Sequence, residues 1–216
     1  MCIFFLKKIL IQKLSIHNRL RLFLIVFMMI YSGLFLQAQN KYDYKFKKEA
    51  SKWYYMEYNV PKNYHGIAVQ GFYVDNKDFI QSSFIHSIKH KYLDIEIAFA
   101  LLTSKPDNTP RGIRIREVFG NPYAINLKAI NNEADLSLSK VKYIDTIQFK
   151  KLNADRGITF NMKLDNKYRH LYSRCKKVEL YKDNVGRAEI LFFYNKGDDA
   201  LVDEEIEKTW GMLKFK

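Results

Sequence analysis

Two cysteines in 216 residues, Cys2 and Cys175, leave little room for disulfide chemistry. Cys2 sits inside an N-terminal stretch that reads as a leader. Without it Cys175 stands alone, and the fold must be held by its core rather than by an internal disulfide. Cys2 also comes too early to be the lipidated cysteine of a lipoprotein, and no cysteine directly follows the apolar run ending at Leu36, so no lipid anchor is expected. Arg174, Lys176 and Lys177 surround Cys175 with the cations that lower a thiol pKa. A lone strand cysteine is more commonly a small buried hydrophobe, and that is the expectation here.

Other absences are as informative. The chain has no nucleophile elbow, no phosphate-binding glycine loop, no paired cysteines and no calcium-loop spacing. No run of five or more like charges occurs, so the mixed Lys, Arg, Glu and Asp describe a solvated surface. No acidic residue precedes Asp43, whereas Lys7, Lys8, Lys13, Arg19 and Arg21 all do.

Those five cations lead into an apolar run from Leu22 to Leu36, broken only by Tyr31, Ser32 and Gly33. Basic, then apolar, then small is the order of a secretory signal. A bilayer-spanning helix needs roughly 20 apolar residues, and this run of about 15 is short of that. Ala38 offers a small residue at the cleavage position, so residues 1–38 are read as a signal peptide and Gln39 as the first mature residue. The alternative is an uncleaved N-terminal anchor. With cleavage, the mature chain has no transmembrane segment and is periplasmic or extracellular.

The chain carries 36 basic and 23 acidic residues; five of the basic ones precede residue 39, so the remainder has a net charge of +8. In a cytoplasmic protein such a balance with abundant Tyr and Phe would prompt a search for nucleic-acid binding. Export argues against nucleic acid and leaves a weak, salt-sensitive attraction to anionic surfaces.

Residues 39–52 are polar and read as a tether or a loose turn of helix, with a single domain over 53–216. "WYYMEYNVPKNYHG" predicts an aromatic strand stopped by Pro61 and a turn ending in Gly66, followed by a strand in "GIAVQGFYV". Trp53, Tyr54, Tyr55 and Tyr58 raise a sugar-stacking platform as one option; alternation along a strand favours core and edge packing instead. "IEIAFALLT" places Ile95, Ile97, Phe99 and Leu101 on one face and Glu96, Ala98 and Ala100 on the other. Thr109 and Pro110 open a short helix carrying Ile115, Val118 and Phe119. "ITFNMKL" alternates Ile158, Phe160, Met162 and Leu164 inward with Thr159, Asn161 and Lys163 outward. "CKKVELY" and "AEILFFYN" flank a hairpin connection with Asn184 and Gly186. A C-terminal helix follows, capped by Asp198 or Asp199, acidic in its first turns, with Val202, Ile206, Trp210 and Leu213 in one apolar stripe.

The hairpin strand running into an acidic-capped helix and closing on "GMLKF", together with the proline in "YNVPKNYHG", resembles PsbP/Mog1-like domains. The resemblance implies an antiparallel sheet with helices on both faces and members that act mainly by binding partners. The fold class is therefore α+β: a single antiparallel sheet with a C-terminal helix and one or two shorter helices packed on it.

Two histidines have ligand spacing. His86 and His90 in "HSIKH" share a face in either a helix or a strand, but position 87 is Ser where a zinc-protease motif has Glu, and no local third ligand accompanies them. Asp155 beside Arg156 and Gly157 is explained by a turn. No metal and no cofactor are expected. The sequence reading is a non-catalytic binding or assembly module of the cell envelope, its partner another envelope protein. The alternatives are a small hydrolase or metal-dependent enzyme near His86, His90 and Asp155, and a carbohydrate-binding module.

Overall fold

The computed structural model describes residues 16–69, 84–103, 125, 127–164 and 171–216. It divides into two compact units, Met1–Asn40 and Lys41–Lys216. In the first, residues 16–40 are helical, the opening part of helix α1 (Ile16–Trp53), and Leu20 and Phe23 to Met28 expose large apolar side chains. Ala38 and Gln39 lie within this helix. Among the described residues no helix is long and apolar enough to cross a membrane.

In the second unit the strands are β1 (Met56–Tyr58), β2 (Tyr64–Ile67), β3 (His86–His90), β4 (Glu96–Thr103), β5 (Lys142–Tyr143), β6 (Arg156–Asn161), β7 (Arg174–Lys182), β8 (Gly186–Tyr194) and β9 (Leu213–Phe215). The helices after α1 are α2 (Leu127–Glu133), α3 (Thr146–Leu152) and α4 (Asp199–Lys208). Seven strands form one antiparallel sheet in the order β2-β3-β4-β8-β7-β6-β5.

The α+β class with antiparallel pairing is as expected; the single sheet is corrected to two. The chain end does not continue the helical stripe. Gly211, at φ 94, turns it back, and Leu213 to Phe215 pair with β1 as a separate two-stranded sheet. Val202 and Ile206 are buried on α4 as the stripe requires, while Leu213 reaches the same core from a strand.

The sequence reading began the domain at Trp53, but the last turns of α1 belong to the compact unit: Phe46 and Ala50 are buried in its core. Gly66 lies inside β2 rather than ending a turn, and Asp43 is the reason. Its carboxylate accepts from the Gly66 N–H at 3.0 Å, and a Cβ there would come within 2.9 Å of Asp43 Oδ1. The helix expected after Thr109 and the later part of "GIAVQGFYV" fall outside the described residues.

The strand alternation predicted for "IEIAFALLT" and "ITFNMKL" is seen, but both sheet faces are covered. Val178, Leu180, Ile190 and Phe192 face the core that holds α1, α3, α4 and the small sheet. Cys175, Tyr181, Leu191 and Phe193 face a second core, to which α2 contributes Ile130. In the β7–β8 hairpin Lys182 pairs with Gly186, and Asn184 takes the left-handed conformation that the turn needs (φ 59). A Cβ at Gly186 would overlap the Leu102 carbonyl of β4, so this glycine serves close strand approach.

Candidate functional site

Alternation sends Thr159 and Asn161 of β6 and Arg174, Lys176 and Val178 of β7 to one face, where they line an open groove of about 750 Å³. One wall is α4, whose Asp199, Asp203, Ile206 and Glu207 follow helical spacing on a single face, with Trp210 just beyond. The other wall is the segment Leu138 to Lys140 and edge strand β5. Asp145, the N-cap of α3, and Gln148 within it complete the lining.

Local chemistry holds these walls. Asp145 caps α3, accepting from the Ile147 N–H at 2.7 Å. Asn161 Nδ2 donates to Ser139 Oγ at 2.8 Å, tying the floor to one wall. The Tyr194 hydroxyl donates to Asp199 at 2.9 Å, with Asn161 Oδ1 3.3 Å away, tying the floor to the other. Burial, then the Asp199 carboxylate, pushes the Tyr194 hydroxyl pKa upward, so it stays a donor.

Each groove acid is engaged: Asp203 by Lys176, Glu207 by Gln148 Nε2 at 3.1 Å, Asp199 by Tyr194 and Asp145 by its cap bond. The lining holds as many cations as carboxylates, Lys140, Lys142, Arg174 and Lys176 against Asp145, Asp199, Asp203 and Glu207, and of these Lys176 and Asp203 form an ion pair. Among the described residues the side chains of Lys140, Lys142 and Arg174 have no hydrogen-bond or ion-pair partner. Arg174 Nε and Trp210 Nε1 are shut off from solvent without an acceptor.

The opposite face contains a closed ionic network. Lys177 meets Glu133 at 2.7 Å, Glu179 at 2.8 Å and Glu189 at 3.0 Å, with only 4% of its side chain exposed. Arg187 also pairs with Glu189, and the Tyr181 hydroxyl donates to Glu179. Burial alone would lower the Lys177 pKa; Glu179, Glu189 and Glu133 outweigh it and hold the amine well above the ordinary lysine range. Burial raises Glu133 despite Lys177. Glu189 and Ala100 are cross-strand partners, so the small residues read from the sequence face this network.

His86 is buried and spent on structure. Its Nε2 lies 3.0 Å from Asp43 Oδ1 and 3.2 Å from the Tyr58 hydroxyl, and its ring stacks on Phe46 at 4.3 Å. His90 Nδ1 accepts from the N–H groups of Tyr92 at 3.2 Å and Leu93 at 2.9 Å, closing the β3–β4 turn. Asp155 holds the β7–β8 turn through the Asp183 N–H at 2.7 Å and Lys182 at 3.1 Å; the Asp183 bond, with Lys182, keeps its carboxyl below the ordinary range. Four strand steps separate β3 from β6, roughly 19 Å at about 4.8 Å each, so the structure does not bring Asp155 to the histidines.

Among the described residues no group of three or more His, Cys, Asp or Glu is placed to hold a metal. Cys175 is buried, and burial pushes its thiol pKa up. Of the aromatic cluster, Tyr58 is buried, Tyr54 packs on the core, and Trp53 and Tyr55 are exposed.

No protein-family model matches the chain. Nor does any curated protein or solved structure match it. Roles therefore have to come from the groove itself. Its residues derive from segments 138–148, 159–161, 174–178 and 199–210, and no local motif announces that convergence. The one legible signal was the four-residue spacing of Asp199, Asp203 and Glu207, which reads equally well as a solvated helix face.

Proposed function

We propose that this chain is exported to the cell envelope and works there as a non-catalytic binding module, with the groove beside α4 holding another envelope protein. The observation that carries the reading is the groove: concave, lined by both polar and apolar side chains, flanked by the exposed side chains of Tyr143 and Ile147, and built on two braced walls. Such a combination of apolar anchors and convergent polar groups is what recognition sites use. The displaced ionisations of Lys177, Arg187 and Glu133 belong to the closed network on the other face and serve structure.

A photo-reactive amino acid in place of Tyr143, with the still more exposed Tyr92 as control, tests the reading in living cells. Adducts with one envelope protein at 143 and none at 92 are expected. No adduct at either position would overturn it. Intact-mass measurement of the same chain tests export: a start at Gln39 is expected, and a start at Met1 would make residues 22–36 an anchor.

A further inference from the structure

The tail of α1 that belongs to the second unit, Lys41 to Trp53, has two unlike faces. Asp43, Phe46 and Ala50 turn toward the domain. Phe46 and Ala50 are buried in its core, and the Asp43 carboxylate accepts from the Tyr58 hydroxyl at 3.2 Å and the Gly66 N–H at 3.0 Å. Half a turn round the helix, Lys41, Tyr44, Lys45, Lys48 and Lys52 recur at spacings of three or four and are all exposed. We infer that this stripe docks on an anionic phospholipid bilayer, the helix lying along the head groups with its lysines on their phosphates. The stripe shares no residue with the groove lining, and its test leaves the groove reading untouched.

The buried face fixes which way the stripe points. With Asp43, Phe46 and Ala50 held, the helix cannot roll, so the lysines share one outward line about 17 Å long at 1.5 Å per residue. That line carries no acid. Glu49 stands to one flank, 3.8 Å from Lys45, whose side chain remains 74% exposed. Among the described residues Lys41 and Lys48 have no hydrogen-bond or ion-pair partner. Five lysines against two acids give Lys41 to Trp53 a net charge of +3, and one of the acids, Asp43, faces the domain. The groove, by contrast, holds cations and carboxylates in equal number.

Two features favour a bilayer over a soluble polyanion. The Tyr44 ring is 71% exposed among the lysines, and Trp53, with Lys52 Nζ 4.4 Å from its ring centre, is exposed at the end of the stripe. Tyr and Trp settle at the level of lipid head groups, and lysine stems lie along apolar surface while their ammonium groups stay in water. The apolar run also ends at Leu36, five residues before Lys41. When that run enters a bilayer, a helical chain keeps the first lysine within about 8 Å of its end, which is about one Debye length at physiological salt.

The test uses the full chain and co-sedimentation with vesicles of phosphatidylglycerol or phosphatidylcholine. Every variant keeps residues 1–40, so differences among variants report on the stripe. Lys41→Gln with Lys48→Gln should weaken binding to phosphatidylglycerol about tenfold or more. Lys150→Gln with Lys151→Gln removes the same charge from exposed positions of α3 and should cost under about twofold. Tyr44→Ser should weaken binding at unchanged charge, and added salt should remove the preference for phosphatidylglycerol. All four lysines are exposed, so the melting curves followed by circular dichroism should match wild type; if the stripe variant fails to fold, Lys45→Gln with Lys52→Gln takes its place with the same expected loss. Equal binding to the two lipids, equal losses in the two double variants, or tighter binding to soluble polygalacturonate than to phosphatidylglycerol vesicles of equal charge would overturn the proposal.

Discussion

Lys176 and Lys177 are neighbours in sequence and belong to opposite faces of one sheet, and the two faces treat charge differently. Behind Lys177 lies a packed network in which the cation meets three carboxylates. Beside Lys176 lies an open groove, where one cation pairs with Asp203 and three others have no partner among the described residues. A charge without water must be matched by the fold itself, because leaving it unpaired costs several kcal/mol. A charge that keeps its water, as those of Lys140 and Lys142 do, can remain unmatched. The closed face thus bears on stability, whereas the open face leaves Lys140 and Lys142 to water.

The largest expected effect breaks the closed face. Lys177→Met strands Glu133 and leaves Glu179 and Glu189 with only Tyr181 and Arg187, and should destabilise the fold by about 3–5 kcal/mol in urea unfolding. Lys176→Met, one residue away, should cost under about 1 kcal/mol because Asp203 is well exposed. Similar losses for the two variants would erase the distinction between the faces.

Next in size is the brace across the groove. Tyr194→Phe removes the hydroxyl from Asp199 and Asn161 and should cost about 1 kcal/mol. A measured loss near zero would mean that the walls stand without it.

Ionisation sharpens the comparison further. Burial raises the folded pKa of Glu133, so its contribution favours the fold most below its unfolded value, near about 4.3, and declines as pH rises through the raised folded value. Wild type should therefore lose stability relative to Glu133→Gln as urea midpoints are followed upward from pH 4. Asp155 has the opposite sign. Its folded pKa is lowered, so its contribution is complete above the unfolded value near about 3.9 and is lost as pH falls through the lowered one. Since the carboxylate is partly exposed, Asp155→Ala should cost under about 1 kcal/mol at neutral pH, and less in acid.

Much of the sheet was legible because alternation is a local property. "IEIAFALLT" and "ITFNMKL" sort to the faces their two-residue period assigns, and "KDNVGR" turns the hairpin. The tail of α1 was misread because only Phe46 and Ala50 of its polar stretch are buried, a stripe too sparse to stand out among lysines. The pairing of β9 with β1 joins positions more than 150 residues apart, and nothing local records it. Asn161 read as an outward residue, yet it is buried where Ser139 and Tyr194 meet it.

The amino-acid sequence by itself determined the α+β class, the antiparallel hairpin, the acidic helix and the faces of the central strands, because each depends on periods of two to four residues. Tertiary structure alone decided that Lys177 would be enclosed by carboxylates and Lys140, Lys142 and Arg174 left without them. Those environments are assembled from strands and helices far apart along the chain, and the strength of a charge interaction depends on the water that the assembled fold removes or leaves.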